Sequence, residues 1–499
     1  MNHANIIKKI SLDNVAYYLF CLILFFVPYN TRKIIPSQYT YFTGHINEFV
    51  TYSLYLTDIL AVFFILICII KERRSLKVIS MNSFAKTPEK IIILMFGWIL
   101  LPMVFAGKYF DLSLYYSARI GLYMFLAIMI RFVINSRKRL ILSLFVISIM
   151  GTLQGILAFI QFLAQSSIFG SGLIHKITGE SLIASDIVGT SNVIIGSYKI
   201  IRAYGTFPHP NIVAGYLVLT LLVTFYLFMI ATQKNKKVND DVYVSFLNYK
   251  MHIHKALLLL FIIIQNCGLV VTFSRSGLIA IFITIFIDVF VYKIVSRETI
   301  NGAFMSIRHS PASSRLLYYG LISITFSIIF FASFAFIQRM SSESLDHQSF
   351  QDRILLQNVS RETILAHPLF GVGIGSYILN LNDLYSDRIV NFWQYQPVHN
   401  LYLLIATEIG LPGLVLFVYL LYFLYNNNSK KKYVNYEISY EFLLFRSIIV
   451  AIAILGLFDH YLWTSPQMMM FMWIIFGLMI SGKNLLNVPR ETLGLDRDI

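Results

Sequence analysis

Long apolar runs, broken by short polar, basic or aromatic turns, repeat along the whole 499-residue chain. They fall near 14–29, 53–70, 90–106, 113–133, 140–164, 211–231, 256–272, 277–292, 316–336, 400–425, 440–458 and 466–482. Each is about long enough to cross a hydrocarbon core of ~30 Å, which takes roughly 20 helical residues. The expected fold class is all-α: a polytopic integral membrane protein of about 12 transmembrane helices. The longest polar stretch, 337–400, breaks this pattern. It keeps apolar anchors (Phe350, Leu356, Val359, Phe370, Trp393) that a disordered linker would lack. Within it, FQDRILLQNVSRETIL over 350–365 sets Ile354, Leu355 and Val359 roughly along one face. That spacing predicts an amphipathic helix at the outer interface, roofing a cavity.

Composition agrees with the pattern. Hydrophobic residues make up 57% of the chain and charged residues 13%. The net charge of +15 would suggest nucleic acid in a soluble protein. Here an excess of Lys and Arg in cytoplasmic loops accounts for it, and no nucleic-acid partner is expected. Most of the 40 basic residues fall on one side when the runs are threaded alternately, as in KERRSLK, SRKR, and Lys430 to Lys432. That side is assigned to the cytoplasm, together with both termini. The first run follows Lys8 and Lys9 but lacks a small-x-small cleavage site, so a retained helix is expected. Cys21, Cys68 and Cys267 lie in apolar runs without metal-ligand spacing, and neither a disulfide nor a metal is expected. His252 and His254 are two apart in a basic loop with no carboxylate, which suits solvated histidines.

On the opposite, outer face the threading gathers three long segments: 30–52, 165–210 and 337–400. RAYGTFPHPN ends the second and sets Arg202 before His209, Pro210 and Asn211, at a helix start that suits anions. TFSRSG is a tight turn that brings Arg275 to the same side. His399 and Asn400 precede the tenth run. Arg119 lies inside the fourth run, one to two turns below that surface, where an arginine marks a functional cavity by default. Each has a plainer alternative: Arg275 as a snorkelling arginine, 207–211 as a loop-to-helix cap, His399 as a structural residue. Their convergence on one face favours the functional alternative. GVGIGSY at 371–377 lacks the strand and acidic partner of a dinucleotide loop; its glycines suit a tight backbone path. Asn358-Val359-Ser360 is a chance-level glycosylation pattern.

RAYGTFPHPNIVAGY, TFSRSG, HPLFGVGIGSY and HNLYLLIATEIGLPGL, in that order over about 200–420, resemble the signature of the O-antigen ligase and Wzy-type polymerase superfamily. The resemblance implies a GT-C-like helical fold and a bacterial inner-membrane glycosyltransferase. It would move a saccharide from an undecaprenyl-diphosphate carrier to an acceptor hydroxyl on a glycan, lipid or protein, on the periplasmic face. It also implies Arg202, Arg275 and His399 as catalytic residues, with no cofactor and no metal. Arg119, Arg339, Arg353, His209, Asn211 and Asn400 are candidate substrate-binding residues. The chain then divides into 1–199 (N-terminal helices), 200–425 (ligase-like core with the long periplasmic loop) and 426–499 (C-terminal helices and tail). The alternative class is a lipid-linked saccharide flippase or another polytopic transporter. A transporter should carry charges near mid-bilayer and inverted repeats, neither of which is clear here.

Overall fold

A computed structural model describes residues 11–42, 44–72, 87–105, 108–170, 172–184, 187, 189–195, 198–232, 243–246, 249–252, 254–298, 343–427 and 440–486. Every predicted apolar run coincides with a helix except 316–336, which lies outside the described residues along with Arg339. In chain order the helices are α1 (Leu12–Phe26), α2 (Leu56–Lys71), α3 (Pro88–Phe105), α4 (Phe110–Val133) and α5 (Arg137–Ala164). Then come short α6 (Leu173–Thr178), α7 (Pro210–Thr232), α8 (Lys255–Val271) and α9 (Arg275–Glu298). The long loop supplies α10 (Glu343–Ala366) and α11 (Tyr377–Tyr385); α12 (Leu401–Asn427), α13 (Tyr440–Phe458), α14 (Tyr461–Thr464) and α15 (Pro466–Leu486) follow. Five helices among the described residues (α3, α4, α5, α7 and α12) are long and apolar enough to cross a membrane. The chain is a polytopic helical membrane protein.

Local signals explain the boundaries. Ser11 and Ser136 accept the N–H groups of Asn14 and Arg139 and so cap α1 and α5. Pro210 opens α7, where its missing N–H costs nothing. His254 caps α8 through Nδ1, a structural use of one of the paired histidines. α7 is buried nearly all round and is packed by α5, α8 and α13. Buried Gln265 ties these helices together, donating to Ser148 O, Thr152 and Thr224 and accepting from Thr220. Such amides replace the hydrophobic force that lipid cannot provide between helices.

The all-α expectation needs one correction. The loops carry antiparallel hairpins: β1 (Arg32–Ile35) with β4 (Tyr52–Tyr55), β2 (Tyr41–Phe42) with β3 (His45–Ile46), β5 (Asn192–Ile195) with β6 (Tyr198–Ile201), and β7 (Tyr243–Phe246) with β8 (Tyr249–His252). These strands are too short to give a periodic signal beside 20-residue apolar runs. The amphipathic helix is present but starts at Glu343, and its inward face differs from the expected one. Leu356, Val359, Ser360 and Thr363 are buried, whereas Ile354 is 37% exposed. The reason is polar: Ser360 Oγ and Leu356 O both meet the buried Tyr377 hydroxyl.

α12 is broken at Gly410, whose φ of 75° is left-handed, just before Pro412. Proline has no N–H for the carbonyl of Glu408 and disrupts the ladder around it. The glycine-rich loop mends the break. Val372 N donates to Thr407 O and Gly373 N to Glu408 O, both at 2.9 Å; Leu411 N turns to Pro368 O, and Trp98 Nε1 to Ile409 O. The tight path expected of GVGIGSY is thus a backbone splice into a helix. A Cβ at position 410 would run into the Leu369 carbonyl. Gly410→Ala is therefore expected to cost about 2 kcal/mol or more, seen as a lower Tm in detergent than for Leu411→Ala at the neighbouring, 44% exposed position.

Candidate active site

The loop carrying Arg202 is pinned from α5. Gln161 Oε1 accepts the N–H groups of Tyr204 (3.0 Å) and Gly205 (2.8 Å), and its Nε2 donates to Gly205 O and to buried Glu180. Gln154 Oε1 accepts Thr206 N at 3.0 Å. Two buried amides thereby satisfy three consecutive backbone donors and fix where Arg202 emerges.

Arg202 is itself buried. Nε donates to Thr272 O (2.7 Å), Nη1 to Ser191 Oγ (3.2 Å) and Nη2 to Asn211 Oδ1 (2.6 Å). The first bond reaches into the TFSRSG turn, and three residues later Arg275 opens α9 with an exposed side chain. Asn211 passes the chain onward: its Nδ2 donates to Asp459 Oδ2 at 3.0 Å. Arg202 can only donate and a carboxylate can only accept, so the amide has one consistent orientation. Asp459 Oδ1 accepts the His460 backbone N–H at 2.8 Å and lies 3.6 Å from His399 Nδ1, an ion-pair separation. Hydrogen bonds thus link Arg202, Asn211 and Asp459 at one end of the bundle, and His399 Nδ1 approaches the carboxylate without a hydrogen bond. His399 is the open end of this group: its side chain is 16% exposed against 6% for Asp459.

Electrostatics sharpen the assignment. Burial alone would raise the Asp459 pKa, but the interaction with His399, aided by His460 and His209, outweighs it and holds the carboxyl well below the usual range. Burial lowers His460 to about 3; Asp459 opposes the shift, while His399 and Arg353 add to it. His460 Nδ1 is hydrogen-bonded to Thr464 Oγ1 at 2.7 Å, and its ring meets Phe49 edge-on. Burial, then Arg202, lowers His209 to about 3; its Nδ1 caps Asn211 N. A carboxylate thus stays ionised beside two neutral imidazoles and one more open histidine.

The other candidates divide. Arg353, half-buried on α10, makes its charge felt at His460. Asn400 uses Oδ1 on the N–H groups of Tyr402 and Leu403 and Nδ2 on Leu457 O, the work of a helix cap. Arg119 sits in a different, buried cluster. It pairs with Asp58 at 3.5 Å, donates to Ser53 O, and lies over the rings of Tyr55 and Tyr115. Sequence reasoning missed Asp459, His460 and Glu408. Buried Glu408 accepts from Trp463 Nε1 at 2.8 Å and from the backbone of Gly375 and Tyr377, clamping the glycine loop to the 459–464 corner.

His399, Asp459 and His460 also offer three ligand atoms within 4.8 Å of one another, and they are the one such trio among the described residues. Both oxygens of Asp459, however, already accept hydrogen bonds inside the protein.

Fold and site together define a polytopic helical membrane protein with a buried arginine, an amide, a carboxylate and a histidine gathered at one end of its helical bundle. Residues 256–418 match the family model described as O-antigen ligase, so this segment is similar to that family. The matched segment contains Arg275, Arg353 and His399; Arg202 and Asp459 flank it. No curated protein matches the chain.

Proposed function

We propose that the protein is a GT-C-like inner-membrane glycosyltransferase of about 12 spans, with both termini cytoplasmic and its site on the periplasmic face. It takes a saccharide from an undecaprenyl-diphosphate carrier and passes it to an acceptor hydroxyl, as a ligase or a polymerase. The observation that carries this reading is the Arg202–Asn211–Asp459–His399 arrangement.

With Nδ1 turned to Asp459, His399 has Nε2 for the acceptor hydroxyl. Nε2 takes the proton while the acceptor oxygen attacks the anomeric carbon, and Asp459 stabilises the imidazolium that forms. The anomeric carbon–oxygen bond to phosphate breaks, and its electron pair leaves with the lipid diphosphate. Charge grows on that leaving group as the bond lengthens. Fixed arginines then favour the transition state over the ground state. Arg275, exposed at the start of α9, binds the diphosphate directly; Arg202 supplies a positive charge locked in place by three bonds. Arg353 extends the cationic rim from α10.

Purified protein in lipid discs, given lipid-linked donor isolated from the producing cells, tests the reading: time-dependent release of undecaprenyl diphosphate with growth of the acceptor is expected. Activity is expected to survive dialysis against EDTA. Its loss, with recovery on adding one divalent cation, would move the histidine–aspartate trio from proton transfer to metal binding. In a deletion strain, long chains left on the carrier mark a ligase and loss of long chains marks a polymerase.

A further inference from the structure

One surface feature beside this site is densely hydrogen-bonded for an exposed turn. Gln394 Oε1 accepts the N–H groups of Val390 and Asn391 at 2.8 and 2.9 Å, and its Nε2 donates to Asp352 on α10 at 2.6 Å. On that frame Phe392 and Trp393 remain 43% and 47% exposed. Their rings meet nearly at right angles with centroids 5.5 Å apart. Exposed His45 lies flat on Phe392, with centroids 4.1 Å apart and planes 19° from parallel. The hairpin carrying His45 is bonded back to the same turn, since Asn47 Nδ2 donates to Tyr395 O at 2.8 Å. Two independent segments thus build a three-ring corner and hold it still. Rings left open to water at this level of order call for a partner, because nothing in packing requires their exposure.

We infer that the His45–Phe392–Trp393 corner is a saccharide subsite that holds the glycan acceptor, one or more sugar units away from its reacting hydroxyl. The inference rests on the transferase reading for the identity of the glycan. Three observations select a sugar. A pyranose ring has an apolar C–H face and a hydroxyl rim, and it needs an aromatic face with hydrogen-bonding groups beside it. Here Asp352 and Asn47 are hydrogen-bonded to the turn that carries the rings, at Gln394 Nε2 and Tyr395 O. Two arginines of these segments are paired with carboxylates, Arg32 with Glu48 (2.6 Å) and Arg388 with both oxygens of Glu362 (3.0 Å), where a surface for anionic lipid headgroups would turn such cations outward. The corner is also continuous with the site. Its hairpin runs on to Phe49, which packs edge-on against His460 at 5.5 Å. Six residues from Trp393 to His399 span at most ~20 Å, a distance that a short oligosaccharide bridges.

The test uses full-length protein in lipid discs and oligosaccharides released by mild acid from the producing cell's own lipid-linked glycan, fractionated by length. Phe392→Ala and His45→Ala keep Trp393, and the part of the four-tryptophan emission change that is lost in Trp393→Phe is assigned to this ring. In the unsubstituted protein, longer fractions are expected to shift tryptophan emission and bind more tightly than the shortest one. Each variant should weaken binding of the long fractions roughly tenfold, the loss of one or two ring contacts. It should raise KM for long acceptors with kcat on the shortest acceptor unchanged. An equal loss at every length, or none, overturns the subsite. So does brominated-lipid quenching that disappears in Trp393→Phe, with no response to oligosaccharide, which would make the corner a membrane anchor. Length-dependent binding in a protein that transfers no sugar would count against the transferase reading and leave the subsite standing, so the two fail separately.

Discussion

Asp459→Asn is expected to slow turnover by about 10²–10⁴-fold while leaving the protein folded and the lipid-linked donor bound. The carboxylate is held ionised, faces His399 Nδ1 at 3.6 Å, and is fixed by Asn211 at 3.0 Å. An amide keeps the shape but removes the charge that favours an imidazolium. His399→Gln should fall in the same range. Because the two act as one unit, the double variant should be little slower than the worse single one. Single-turnover rates measured beside donor binding decide the matter. Near-normal turnover in His399→Gln would reduce His399 to a structural residue. The same cluster predicts an acid-sensitive fold. His209 and His460 are held neutral, with values lowered from 6.5 to about 3. Below about pH 6.5 the unfolded chain takes up protons that the folded one refuses. The stability contributed by these two imidazoles is complete above that pH and is lost progressively toward pH 3. Tm should therefore fall on acidification, and less steeply in a His209→Asn variant.

Arg202→Lys and Arg275→Lys are each expected to lower turnover about 10²–10³-fold despite equal charge. The two should differ in how they fail. Arg202 reaches three acceptors on three segments with its fork, and a single ammonium cannot reproduce that geometry. Its replacement should loosen the 191–211 loop and lower kcat with a modest effect on donor binding. Arg275 is exposed at a helix start, so its replacement should weaken the donor's affinity as well, because the ground-state diphosphate is already charged. Normal turnover in both variants would remove the arginines from the mechanism.

How much of this was legible in the chain depends on the kind of signal. Apolar runs of about 20 residues dictate helices in a bilayer, because backbone groups have no other partner there, so among the described residues the helices stand where the pattern puts them. Arg202, Asn211 and His399 were legible as candidates because helix starts and alternate threading predict a shared face; the structure brings them together at one end of the bundle. Asp459 and His460 obey the same threading, lying between the last two apolar runs. They escaped notice because LFDHYLW is short and reads as part of a hydrophobic block. Arg119 drew attention as an isolated charge in an apolar run, yet its partners Asp58 and Ser53 come from a segment some 60 residues earlier. Pairing of that kind is a property of packing and leaves no mark in local sequence. The inward face of α10 was misjudged for a related reason: its buried side includes Ser360 and Thr363, which hydrophobicity alone assigns to water.

The splice between the glycine loop and broken α12 bears on how the chain is made. A helix interrupted at Gly410 and Pro412 would enter the bilayer with carbonyls that lipid cannot satisfy. Its repairing donors, Val372 and Gly373, lie 35 residues upstream of the acceptors Thr407 and Glu408. Those donors have already left the ribosome when the break emerges, so the helix meets its partners as it inserts rather than after. With the order of these two segments reversed in the gene, the open carbonyls would have to wait.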